Sequence, residues 1–142
     1  MSFQNVRAEL ELLTAAALND AGLTKVFYDN VSYPQPDAGT DYAVINVNFT
    51  DTVAVALQCG LNRVAGAITV LIFTRANVGA RPGEDYVYGL LEDWVELLSK
   101  GYGVGDMKLR LSNFDGPRMI AATDPSSHHL HNIAATFTAT YP

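Results

Sequence analysis

Apolar residues recur at three- and four-residue steps through the first part of the chain: Phe3, Val6, Leu10, Leu13 and Ala17. That spacing places them on one face of a helix over 3–20. Ser2 is suited to cap its start and Gly22 to end it. Leu12 falls on the opposite side, where a leucine is either an ordinary exposed residue or a contact in an assembly. Lys25 to Tyr28 reads as a short strand. Asp29 to Asp41 follows with two prolines, a glycine and three aspartates, a long loop of the kind that carries function or meets a partner, or simply moves at the surface.

From Asp41 the period becomes two. Ala43, Ile45, Val47 and Phe49 alternate with Tyr42, Val44, Asn46 and Asn48, and Val53, Val55 and Leu57 alternate with Thr52, Ala54 and Ala56. Polar Asn48 to Thr52 and Gln58 to Asn62 are predicted turns, which makes an antiparallel meander with a third strand over 63–74. One side of that strand carries Val64, Ile68, Val70 and Ile72. The other carries Ala65, Ala67, Thr69, Leu71 and Phe73 and is hardly polar. Both faces are therefore expected to be covered, one by a helix and the other by something else. Ala76 to Gly83 reads as a loop. A second helix to about Lys100 follows, with Pro82, Glu84 and Asp85 suited to its first turn and Val87, Leu90, Leu91, Trp94 and Leu98 forming its apolar face. The rest alternates again. Met107, Leu109 and Leu111 lie on one strand, Asn113 to Pro117 on a turn, and Arg118 to Ala122 on a short strand. His128 to Tyr141 forms a last strand with Ile133, Ala135, Phe137, Ala139 and Tyr141 on one face. Helix, strands, helix, strands predicts a single α+β domain over 1–142, two helices on a mainly antiparallel sheet.

Charge narrows the partners. Only 17% of residues are charged and the formal net charge is −6. The nine basic residues form no run, so the chain is a poor candidate for sequence-specific nucleic-acid binding or for anionic membranes. No apolar stretch approaches the ~18–20 residues of a spanning helix, and MSFQNVRAEL lacks a signal-peptide core, so an intracellular origin is expected. Sparse charge also fits a protein that hides surface against partners.

Candidate chemistry is thin. The single cysteine, Cys59, has no basic neighbour in sequence to activate it and reads as a small core or turn residue. His129 and His131 would share a strand face, yet the nearest acid is Asp124, so they read as a polar strand start instead of a metal site. Gly101 to Gly105, GYGVG, follows a helix and precedes a strand, the reverse of a dinucleotide fingerprint, and reads as a helix stop and turn. Glu84, Asp85, Glu92, Asp93 and Glu96 read as a solvated helix face. Ser126 and Ser127 lie in no nucleophile elbow. These readings predict no catalytic residue, no cofactor and no metal.

The stretch RVAGAITVLIFTRANVGARPGEDYVYGLLEDWVELL, Arg63 to Leu98, resembles the core of phage tail-terminator and related minor tail proteins. An Arg–x–x–Gly, here Arg63 to Gly66, opens a strand of alternating apolar residues. A glycine-containing turn over Val78 to Gly83 and an amphipathic Leu/Trp helix follow. The N-terminal helix, the Asp/Pro-rich segment and the last strand IAATFTATYP are similar too. The resemblance implies a virion structural protein of the tail, assembled in the bacterial host cytoplasm. It implies a homo-oligomeric ring, hexameric in the family, that caps the tail-tube protein and meets the head–tail connector protein, with DNA free to pass its lumen. A tube or neck protein of the same fold is the alternative, and a small hydrolase or ligand-binding domain a more distant one. Candidate interface residues are Leu12 on the first helix, Tyr33, Asp37 and Asp41 on the first long loop, and Arg75 and Arg81 on the second. Arg75 and Arg81 are expected to pair with acids such as Glu92 or Glu96 of a neighbouring copy.

Overall fold

The computed structural model describes residues 3–28, 40–53, 62–75, 81–98, 102–104, 107–120 and 129–141. The chain runs α1 (Phe3–Asp20), β1 (Val26–Tyr28), β2 (Tyr42–Val53), β3 (Asn62–Thr74), α2 (Arg81–Asp93), a π-helical turn (Trp94–Leu98), β4 (Tyr102–Val104), β5 (Met107–Ile120) and β6 (His129–Tyr141). The six strands form one sheet in the order β1-β2-β3-β6-β5-β4. Every pairing is antiparallel except β1 with β2, which is parallel. The protein is an α+β fold with a mostly antiparallel sheet, as the periodicity predicts.

Both helices lie on one side of the sheet. From that side the core takes Val6, Leu10, Leu18, Val87, Leu90 and Trp94, and from the strands Ile45, Ile68, Ile72, Leu109, Ile133 and Phe137. α1 ends as its sequence requires. Gly22 adopts φ +100°, its N–H donates to Asn19 O at 3.0 Å, and Leu23 N–H donates to Leu18 O at 2.9 Å. That pair of bonds is a Schellman cap, which a left-handed glycine permits. The two helices meet closely where Gly89 faces Ala21, since a β-carbon on Gly89 would lie 2.8 Å from the Ala21 side chain. The Trp94 indole Nε1–H donates to Thr14 Oγ1 at 3.3 Å and ties the π-helical turn to α1.

Several local expectations change. Asn48 to Thr52 is not a turn: β2 runs through it, and the pairing with β3 shifts between Phe49 and Asp51, a bulge. Asn113 to Pro117 is likewise inside β5, which pairs with β6 on both sides of two register shifts. Asn113 (φ 53°) and Gly116 (φ 124°) take the left-handed backbone that absorbs the extra residues. The predicted strand from Arg118 is the end of this same β5. GYGVG is more than a helix stop, because Tyr102–Val104 is the edge strand β4, paired with β5. α2 begins at Arg81, so Arg81 to Gly83 is helix and not loop, and beyond Asp93 the helix widens to π geometry. Cys59, Asp124, Ser126, Ser127 and His128 lie outside the described residues, as does the predicted alternation beyond Val53.

Candidate assembly surfaces

Strands alternate, so the sheet has a second face, opposite the helices. β3 presents Arg63, Ala65, Ala67, Thr69, Leu71 and Phe73 there, and β6 presents Ala134, Thr136, Thr138 and Thr140. Apart from exposed Arg63 and Thr136, these residues are partly buried, while their neighbours Val64, Ile68, Val70 and Ile72 are at most 1% exposed. No described helix covers this face. At one end an aromatic group closes over it. Tyr42 stacks on Phe73 with ring centroids 4.5 Å apart, and Phe27 meets Tyr42 edge-on at 6.0 Å. At the other end the pairing register sets Arg63, Thr140 and Lys108 in one row, and Ala65, Thr138 and Arg110 in the next. A shallow concavity is lined there by Arg63, Lys108, Arg110 and Thr138. Between the two ends lies a platform of alanine and threonine.

The outer side of α2 and of the π-helical turn that continues it differs in chemistry. Glu84, Asp85, Glu92 and Glu96 are exposed there, together with Tyr88 at 65% and Val95 at 47% exposure. A shallow groove is lined by Tyr88, Leu91, Glu92, Asp93, Val95 and Glu96. The Tyr88 hydroxyl donates to Glu92, and that bond, then the carboxylate's charge, holds the phenol above its ordinary pKa. Asp93 is also raised, first by partial burial and then by the nearby charges of Asp20, Glu96 and Glu92.

The candidate interface residues fare unequally. Leu12 is 62% exposed, on the outward side of α1 as its spacing predicts. Glu92 and Glu96 stand one turn apart on the acidic face. Asp41 and Arg75 find each other within the chain: Asp41 Oδ1 accepts the Arg75 backbone N–H at 2.9 Å and lies 3.6 Å from its guanidinium Nε. Asp41 Oδ2 accepts the Tyr86 hydroxyl at 2.9 Å, and burial together with this acceptor raises the Tyr86 pKa. This cluster anchors the start of β2, the end of β3 and α2 to one another. Arg75 thus has an acidic partner inside the molecule, while its side chain stays 51% exposed. Tyr33 and Asp37, and the Arg81 side chain, lie outside the described residues.

His131 is no polar strand start. It is 1% exposed on the helix-covered face, beneath the first turn of α2, where a β-carbon on Gly83 would sit 2.2 Å from its Nδ1. Among the described residues no cluster of three or more His, Cys, Asp or Glu is placed to hold a metal, and no helix is long and apolar enough to cross a membrane. Sequence reading passed over Arg63, Lys108 and Arg110 as scattered charges. Their outward parity was visible, but only the β3–β6–β5 register brings them together.

No protein-family model and no curated protein matches the chain. Solved structures do match: one chain superposes with a TM-score of 0.70 over 98% of this chain and 96% of its own length, at 17% sequence identity. At that identity the likeness is one of fold.

Proposed function

We propose that this protein is a structural subunit of a phage tail, of the tail-terminator type, which closes into a homo-oligomeric ring at the end of the tail tube and meets the head–tail connector. What supports the reading is the second face of the sheet. Ala65, Ala67, Leu71 and Phe73 are apolar, lie along β3 between its partners β2 and β6, and lack a covering helix among the described residues. Partly exposed apolar side chains gathered on one sheet face favour an interaction surface. Supplied by sister molecules, the cover would come from a heterologous contact, which closes into a ring when its rotation permits. The net charge of −6 suits a lumen that lets DNA slide past without sticking. The role asks for shape and assembly, and the chain's acids, histidines and hydroxyls are assigned no chemistry.

Light scattering and negative-stain electron microscopy of the purified protein, alone and with tail tubes, test this. The expected result is a ring with a mass several times 15.3 kDa, or a single ring at the tube end. A strict monomer at high concentration that also ignores tail tubes would sink the proposal.

A further inference from the structure

Resting on that reading, we infer that the acidic outer face of α2 in one copy docks on the cationic end of the open sheet face in the next. Both halves of the contact are present on every chain. Five of the 15 acidic residues fall between Glu84 and Glu96, with no basic residue among them. Arg63 and Lys108 are exposed on the opposite side of the molecule, flanking Thr140 in one cross-strand row. Their backbones lie about 9.5 Å apart, two strand spacings, a gap that carboxylates one helical turn apart on flexible side chains can bridge.

The two surfaces cannot meet within one molecule, since the helices cover the opposite face of the sheet. The match is also one of shape. Next to the cations the sheet offers Ala65, Ala67 and Thr138, whose short side chains let a helix approach closely. α2 and the π-helical turn after it offer Tyr88 and Val95, large apolar residues left exposed. The neighbour's helix would thus give the open face what α1 and α2 give the other, a second helical layer. Arg63 and Lys108 take the role expected of Arg75, whose guanidinium is engaged by Asp41.

Charge-swap complementation tests the pairing. One variant carries Arg63→Glu and Lys108→Glu, the other Glu92→Lys and Glu96→Lys, and circular dichroism verifies that each is folded. Each variant alone has like charges on both surfaces and is expected to fall to the 15.3 kDa monomer. Mixed in equal amounts they present opposite charges at every contact, and the wild-type oligomer mass should return as an alternating ring. If the wild type assembles and either variant alone still does, or if both fail and the mixture does not recover, the inference is overturned while the ring stands. A wild type that never assembles removes the ring and this contact together.

Discussion

Neither face of β3 carries a charge between Val64 and Phe73, yet the two differ in what covers them. Toward the helices stand Val64, Ile68, Val70 and Ile72, bulky, mostly β-branched and shielded. On the other side stand Ala65, Ala67, Thr69, Leu71 and Phe73, smaller for most of their length and half-covered. Branched side chains fill the volume between a sheet and its own helices. The alanines fill little of such a volume, and leave room for another backbone to approach. The difference teaches that apolar character alone does not locate a core. Side-chain size separates the face that the helices cover from the face that no described helix covers.

The largest effect that sharpens the contrast lies in the helix layer. Trp94 is 1% exposed, donates to Thr14 and packs near Phe114, whereas Val95, next to it, is 47% exposed. Trp94→Ala should cost about 3–5 kcal/mol in urea denaturation. Val95→Ala should change stability by no more than about 0.5 kcal/mol and show itself in assembly instead. Equal stability losses at the two positions would mean that Val95 is not an outer residue.

On the sheet itself the paired test is Ile72→Ala against Leu71→Ala. Ile72 is fully buried against the helices, and its truncation should cost about 2–5 kcal/mol. Leu71 faces the other way and is already partly wet, so its truncation should cost about 1 kcal/mol and lower the oligomer mass at a given concentration. If Leu71→Ala proved as damaging to the monomer as Ile72→Ala, the open face would be covered from within the chain, and the ring reading would lose its support.

The covered face was legible in the sequence because burial writes itself locally, at period 3.6 in α1 and α2 and at period two in the strands. Leu10, Val87, Trp94, Ile68 and Phe137 all stand where their spacing puts them. Strand length was not legible. Asn48 to Thr52 and Asn113 to Pro117 have the composition of turns, yet their neighbours β3 and β6 continue the ladder and the polar residues are taken up as bulges. Long-range partners were invisible for the same reason. Asp41 and Arg75 are distant in sequence and meet only because β2 pairs with β3. His131 is buried because Gly83, on another element, has no side chain to hold α2 away. The candidate surfaces were half legible: the α2 acids were grouped by the helix itself, while the cations needed the register of three strands to become a patch.

The smallest expected effect concerns the acidic face, where like charges oppose one another. Asp93 lies near Asp20, Glu96 and Glu92, and partial burial first, then these charges, raise its pKa above the ordinary 3.8. A carboxyl with a raised pKa binds more protons in the folded state than in the unfolded one. By linkage its contribution to stability then falls as pH rises from 3.8 through the folded value, and it is least favourable at neutrality. Asp93→Asn should therefore raise the urea midpoint slightly at neutral pH and leave it nearly unchanged below 3.8. Salt should narrow the gap, since it screens exposed charges beyond about 10 Å at 0.1 M. An equal shift at every pH would assign the gain to packing and not to the ionised carboxylate. The comparison of monomer with oligomer sharpens the result. If this face meets a neighbour's Arg63 and Lys108, the repulsion is relieved on assembly, and the neutral-pH advantage of Asp93→Asn should shrink under oligomeric conditions.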